Sequence, residues 1–441
     1  MTERRVIRGA RLLPMDGRRQ LKRSDVLISG GVIAAVGGVA STAGAVVEET
    51  NAIVLPGLVN AYIQLDQTLL DRGFVADVDP WRFYGLEIPE WRRKLDDDAL
   101  DISARAALSR GLFSGTTAFA DFGRTLARGS SVGAADEMGA RLVALADARG
   151  AEPQRAIEQM EAKLGEDSPV TLAVWAGDAE RAPVSLLARG AKIAREKNLP
   201  FVVRVGLLPG DRSGMRRLER AGALGKNLVI VHGRGDSLRA WIKDLASAGA
   251  SVIATPSADL MAGAPPTPIA KLILGGVNVG LGTDTGAARS DVNLFRELRL
   301  VEGLLRGRVP EPASAALELA TRGGARALGL GTGALEVGQR ADLIAFDLPL
   351  GGEDHESLAH RLIDSGGPEQ LRSVWIRGEP VVADGRLREG KAPSDAEEDR
   401  VRARQPRLMP PTWADRMVSG VRTAIGLERG WHEGRLPFAK D

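Results

Sequence analysis

The spacing of apolar residues changes character twice along the chain. Over residues 4 to 55, short apolar runs are punctuated by turn residues: Val6-Ile7 and Leu12-Leu13 precede Asp16-Gly17, and Val26-Leu27-Ile28 precedes Gly30-Gly31 and Val32-Ile33. That pattern predicts strands and hairpins. From residue 56 to 334, strand-length apolar runs alternate with helical spacing. The predicted strands are Leu58 to Gln64, Thr116 to Phe122, Arg141 to Ala146, Thr171 to Ala176, Phe201 to Val205, Leu228 to His232, Ser251 to Thr255 and Asn278 to Gly282. Between them Leu186, Leu187, Ala191 and Ile193, and later Leu294, Leu298, Val301, Leu304 and Leu305, recur as on one face of a helix. Alternation of this kind predicts the α/β class and a (β/α)8 TIM barrel. Strand character returns at Ala341 to Asp347 and Ser373 to Gly378. Residues 1–55 and 335–390 are therefore expected to meet in one small composite β-sandwich beside a barrel of 56–334. Residues 391–441 are expected to be a helical tail, with Trp413, Met417, Val421 and Ile425 at helical spacing after Pro410-Pro411.

Composition narrows the chemistry. Of the 441 residues 44% are hydrophobic and 26% charged, the balance of a folded globular chain, so disorder and fibrous repeats are out. A net charge of +2 gives no electrostatic argument for nucleic acid. No apolar run reaches the roughly 18 residues of a membrane span. The opening Met1 to Leu13 lacks the apolar stretch of a signal peptide, and the expected location is the cytoplasm. The chain has no cysteine, which removes disulfides, thiolate nucleophiles and thiolate metal sites together. Its four histidines are His232, His355, His360 and His432, the last three expected to face solvent outside the barrel core.

Several segments carry a specific resemblance. Val54-Leu55-Pro56-Gly57-Leu58-Val59-Asn60-Ala61 followed by Leu65-Asp66-Gln67-Thr68, then Gly115-Thr116-Thr117, Pro200 and its strand, Val231-His232, Gly282-Thr283-Asp284 and Gly338-Gln339-Arg340-Ala341-Asp342-Leu343 occur in order. Together they resemble the amidohydrolase superfamily, in its branch of purine and cytosine deaminases and triazine hydrolases. The resemblance implies a metal, zinc or iron, at the barrel mouth that activates water for attack on an amidine or aryl carbon. It also implies a His-x-His pair on the first strand, a third histidine ending the fifth, and a proton-shuttling glutamate three residues later. Those positions here hold Tyr62, Gln64, Arg204 and Leu207. His232 and Asp284 are the retained family positions and the candidate catalytic residues.

Physically, Tyr62 is bulky and a weak ligand when protonated, Gln64 offers a neutral carbonyl, and Arg204 brings a permanent cation to where a metal would sit. Catalytic zinc ordinarily keeps three protein ligands, and two remain. The expectation from these residues is a non-hydrolytic pseudoenzyme with no metal cofactor, binding a small molecule or a protein partner as a ligand-binding or scaffold protein. Tyr62, Gln64, Asp66, Gln67 and Arg204 are then its candidate substrate-binding residues. The alternative is a hydrolase of the C–N (non-peptide) bond of a small cyclic amidine or amide, working without the usual metal or with an unusual ligand set. Neither reading calls for nucleic acid or membrane, and a homo-oligomer, such as a homodimer, is expected. Viewed alone, an inward His232 is an ordinary hydrogen-bonded barrel histidine. Asp284 cannot be incidental, because a buried carboxylate needs a partner, and Arg204 is the expected one. The aromatic cluster Trp81, Phe83, Tyr84 and Trp91 fits a hydrophobic lid, a dimer contact or a loop packed on itself.

Overall fold

The computed structural model describes residues 4–39, 42–70, 88–123, 129–150, 152–164, 168–208, 211–285, 292–349 and 354–404. Five strands come first: β1 (Arg4–Leu12), β2 (Lys22–Ser29), β3 (Val32–Gly37), β4 (Ala45–Glu49) and β5 (Ile53–Pro56). Gly30 and Gly31 both take positive φ, 61° and 77°, the geometry that lets a two-residue turn join β2 to β3.

The barrel strands follow as β6 (Leu58–Gln64), β7 (Thr116–Asp121), β8 (Arg141–Asp147), β9 (Val170–Asp178), β10 (Phe201–Val205), β11 (Leu228–His232), β12 (Ser251–Ala254) and β13 (Asn278–Leu281). Each pairs in parallel with the next, and the short β14 (Asp284–Thr285) pairs with β6 and closes the ring. Closure brings the backbones unusually near. A Cβ on Gly282 would stand 2.7 Å from the Tyr62 backbone nitrogen and oxygen, so only glycine fits there.

The barrel strands are buried on both faces, which explains their nearly unbroken apolar runs. Val59, Ala61, Ala118, Ala120, Val143, Val202, Val229 and Ile253 fill the interior, and Ala325, Leu328 and Leu330 plug its base. The register between β6 and β7 shifts between Asn60 and Ile63, and Tyr62 joins Val59 and Ala61 inside. Helices cover the outside: Val184–Glu196 buries Leu187, Ala191 and Ile193, and Leu294–Leu305 buries Leu298, Val301 and Leu305.

The last strands are β15 (Leu343–Phe346), β16 (Leu371–Ile376), β17 (Glu379–Ala383) and β18 (Arg386–Leu387). β15 pairs antiparallel with β5, and the two chain ends thereby form one nine-stranded mixed sheet. The sheet curls into a sandwich. Ile33 and Ala341 backbone N–H groups donate across the curl to Gln339 and Gly31. Ile7, Leu12, Val26, Ile28, Leu343 and Trp375 pack in the fold so made. Its outer face packs toward the barrel helices, with the rings of Phe295 and Phe346 edge to face at 5.3 Å.

Arg141, at the N-terminal end of β8, fastens the two units. Its Nε and Nη2 donate to the two carboxylate oxygens of Asp342 at 2.8 and 2.9 Å, with both side chains 0% exposed. Asp342 also accepts from the Arg377 backbone, and its own carbonyl accepts from Gly57 at the entry to β6. This accounts for the aspartate in the segment Gly338 to Leu343.

Some expectations need correction. His355 does not face solvent: it is 6% exposed, with Nδ1 2.9 Å from Ser314 Oγ, because its helix packs on the helix carrying Ser314. His360 is about half exposed and bonded to Glu302. His432, the tail residues Trp413 to Ile425 and the aromatic residues Trp81, Phe83 and Tyr84 lie outside the described residues. The described part of the tail is the helix Asp395–Arg402, capped by Ser394 and Glu397 and tied to Arg110 through Glu398. Among the described residues no helix is long and apolar enough to cross a membrane.

Removing one member of the Arg141–Asp342 pair strands a buried charge. Arg141→Met and Asp342→Leu should each cost about 3 to 5 kcal/mol in denaturant unfolding, and the double variant much less than their sum. Single losses below about 0.5 kcal/mol would show that the clasp is not needed.

Candidate functional site

The C-terminal ends of the barrel strands gather the polar residues. Asp284 starts β14 and takes a left-handed backbone, φ 61°, which is costly for a residue with a side chain. Its Oδ1 accepts from Gln64 Nε2 at 3.0 Å. The orientation of that amide is set from behind. Gln64 Oε1 accepts from Arg92 Nη2 at 2.7 Å and from Gln67 Nε2 at 2.6 Å, so its NH2 must face Asp284. Arg92 also donates through Nε to Asp66 Oδ2 at 2.7 Å, and Trp91 Nε1 to the Asp66 carbonyl at 2.8 Å. Asp66 is therefore the partner of Arg92 and does not join Asp284 in a carboxylate site.

His232 ends β11 with φ 71° and is 0% exposed. Its Nδ1 lies 2.9 Å from Thr255 Oγ1 and 3.5 Å from Asp259 Oδ1. Burial, with Arg234 close by, holds its pKa below the ordinary value, so the ring is neutral near pH 7. Burial works against the Asp259 carboxylate as well, but His232 and Arg234 outweigh it and keep the pKa low. His232 Nε2 and Asp284 Oδ2 are buried and have no hydrogen-bond partner among the described residues. Unpaired buried polar atoms are costly, and two at one barrel mouth mark where a ligand would be held.

Arg204 points inward from β10, and its ion-pair partner is Asp178, not Asp284. Nε donates to Asp178 Oδ1 at 2.5 Å, and the guanidinium lies 5.3 Å from the centre of the Trp175 ring. The register explains the correction: Arg204 stands directly across from Asp178 on the neighbouring β9, while Asp284 is already engaged by Gln64. Burial opposes the guanidinium charge, but Asp178, Tyr62 and Asp284 together hold it above its ordinary range. Tyr62, Phe122 and Trp175 form an aromatic wall, with successive ring centres 4.3 and 5.3 Å apart and Tyr62 5.5 Å from the His232 ring.

Glu180 was not among the candidate residues, nor were Arg92, Asp178 and Asp259. Glu180 sits just past β9 with Oε1 accepting from the Gly206 and Gly214 backbones at 3.1 and 3.2 Å, while Oε2 has no partner among the described residues. Burial, reinforced by the Asp211 and Asp178 carboxylates, pushes its pKa up to about 7. Leu207, where the resemblance places the shuttle, is buried, and its carbonyl accepts from Arg234.

The model of the Amidohydrolase family matches residues 53–381. The chain belongs to the amidohydrolase family. It is 30% identical over 367 residues to the 5-methylthioadenosine/S-adenosylhomocysteine deaminase of Halobacterium salinarum, covering 77% of this chain and 83% of that one. Among solved structures it resembles an adenosine deaminase from Xanthomonas campestris with bound zinc, at TM-score 0.79, 24% identity, and 90% and 97% of the two chains. An atrazine chlorohydrolase from Arthrobacter aurescens complexed with zinc superposes at TM-score 0.79 with 23% identity over 91% of this chain and all of that one.

These amidohydrolase relatives correct two expectations. Relatives matched over 83 and 84% of their length are named for deamination, which overturns the pseudoenzyme and scaffold reading and fits the hydrolase alternative better. The expectation of no metal cofactor falls as well, since the adenosine deaminase and the atrazine chlorohydrolase of this fold both hold zinc. The unpaired atoms of His232 and Asp284 are two donors, yet among the described residues no three His, Cys, Asp or Glu side chains converge on one point. The described side chains alone therefore fall short of the three protein ligands zinc ordinarily takes.

The raised pKa of Glu180 has a measurable sign. Its folded-state value of about 7 lies above the ordinary 4.5, so its contribution to stability is present below pH 4.5 and is lost as pH rises to 7. Glu180→Gln should abolish that part of the decline, a difference of about 3 kcal/mol at most between the two pH limits. Parallel stability-versus-pH curves for the two proteins would show that Glu180 ionises normally.

Proposed function

We propose that this chain is a hydrolase of the C–N (non-peptide) bond of a small cyclic amidine, releasing ammonia from the exocyclic amine of an adenosine-type nucleoside. The observation that carries the reading is the pair of unpaired buried atoms, His232 Nε2 and Asp284 Oδ2, at the functional end of a barrel shared with deaminases.

A planar heterocycle has a surface to lie on in Tyr62, Phe122 and Trp175, whose rings meet at tilted and edge-on angles. Neutral His232 offers Nε2 as the acceptor for a proton from the attacking water, and gives that proton to the departing amine. Asp284 accepts through Oδ2 a hydrogen bond from the water or the amine, while Gln64 holds Oδ1 still. The C–O bond forms as the C–N bond breaks, and the amine leaves as ammonia. Gln67 acts by fixing Gln64, and the Arg204 guanidinium, seated on Trp175, donates to ring nitrogens or sugar oxygens. We place the reaction in the cytoplasm, where a chain with no cysteine is at no disadvantage.

The test is ammonia release from adenosine and 5-methylthioadenosine by the purified chain. Wild type should turn over at least one of them, and His232→Ala and Asp284→Asn should each lower kcat by about 100-fold or more. Ammonia release from neither nucleoside, or unchanged rates in both variants, would overturn the proposal.

A further inference from the structure

His232 sits in a buried polar frame built from the next barrel strand and its helix. Thr255 follows β12, and Asp259 lies on the short helix Pro256–Met261. Asp259 is 0% exposed and is held from two sides: Arg234 Nε donates to Oδ1 at 2.7 Å, and the Thr267 backbone N–H to Oδ2 at 3.1 Å. The Thr267 hydroxyl lies 2.6 Å from the His232 carbonyl and 3.1 Å from Asp259 Oδ2, so the same frame touches the histidine's left-handed backbone and its ring partner. Asp259 Oδ1 in turn stands 3.5 Å from His232 Nδ1, just beyond the Thr255 hydroxyl at 2.9 Å.

This arrangement bears on which ring nitrogen carries the proton. A hydroxyl can donate or accept, so Thr255 alone leaves both tautomers open. A carboxylate can only accept. With Asp259 beside Nδ1, a lone pair there would face a negative oxygen, whereas an N–H is attracted to it. The other tautomer would also bury an N–H at Nε2, where no group among the described residues accepts it.

We infer that Asp259 is a positioning residue: with Thr255 it fixes His232 as the tautomer protonated on Nδ1 and keeps the Nε2 lone pair open toward the barrel mouth. The inference deepens the reading of His232 as a proton acceptor and rests on it for its catalytic meaning. The tautomer itself can be measured without any substrate. Asp259 does not touch the reacting atoms and acts only through His232.

The experiment is nitrogen NMR on the full chain labelled at histidine, where four residues give a sparse spectrum and His232→Gln identifies the signal. At neutral pH the wild type should show His232 protonated on Nδ1 with an unprotonated Nε2. Asp259→Leu removes the acceptor beside Nδ1 and leaves the Thr255 hydroxyl free to donate there, and the signal should move toward the Nε2-protonated form. Thr255→Val, which keeps the carboxylate, should retain the wild-type pattern. In an ammonia-release assay Asp259→Leu should lose about 10- to 100-fold in kcat with KM little changed, as supporting groups behind a reactive histidine typically do. An Nε2-protonated His232 in the wild type overturns the inference, whatever the variants do. An unchanged spectrum in folded Asp259→Leu does so as well. If the expected tautomer is found but no ammonia is released from any nucleoside, the functional reading fails and the positioning role stands.

Discussion

Charges enclosed in this barrel must be matched where they stand, and that constraint organises the rest of the molecule. Taking a carboxylate or guanidinium out of water costs several kcal/mol unless a partner is within bonding distance. Arginine is the partner of three carboxylates around the site, Arg92 for Asp66, Arg204 for Asp178 and Arg234 for Asp259, and of Asp342, through Arg141, where the barrel meets the terminal sheet. Each pair joins different elements of the fold, so satisfying the charges also sets how strands, loops and the terminal sheet meet. What is left over is informative. Asp284 Oδ2 and His232 Nε2 stay unmatched at the one end of the barrel where chemistry is expected.

The parts of the fold legible from the sequence were those with a local signal. Apolar runs bounded by glycine and proline marked every barrel strand to within a few residues, and strand patterns at both ends foretold a shared sheet. Partners were not legible. Arg204 was expected at Asp284 because both positions converge in the family, but the β9–β10 register sets Asp178 opposite it. Arg92 and Asp259 carry no local mark that separates them from surface charges on short helices. Glu180 sits on a loop, and its high pKa arises from burial under Gly206 and Gly214, which only the folded chain creates. His355 was misjudged for the same reason, since its cover comes from a distant helix.

The functional correction has a physical lesson. Tyr62, Gln64, Arg204 and Leu207 show that three familiar ligands and the proton shuttle are not repeated here, and the step from there to lost hydrolysis was too long. A neutral histidine with an open nitrogen, a carboxylate held by an amide and an aromatic wall suit the proposed proton transfer and ring binding. The relatives named for deamination share most of the chain's length. Strained backbones at His232 and Asp284, with φ of 71° and 61°, are retained at the same end of the barrel, as strain commonly is at functional sites.

The central claim is that His232 Nε2 and Asp284 Oδ2 mark the reaction centre. The most direct measurement is a crystal structure with a cyclic amidine of the proposed class bound. The ring should lie against Phe122 and Trp175, with its reacting carbon's substituents within hydrogen-bond distance of both His232 Nε2 and Asp284 Oδ2. A ligand bound elsewhere, or one that leaves both atoms without a partner, would contradict it.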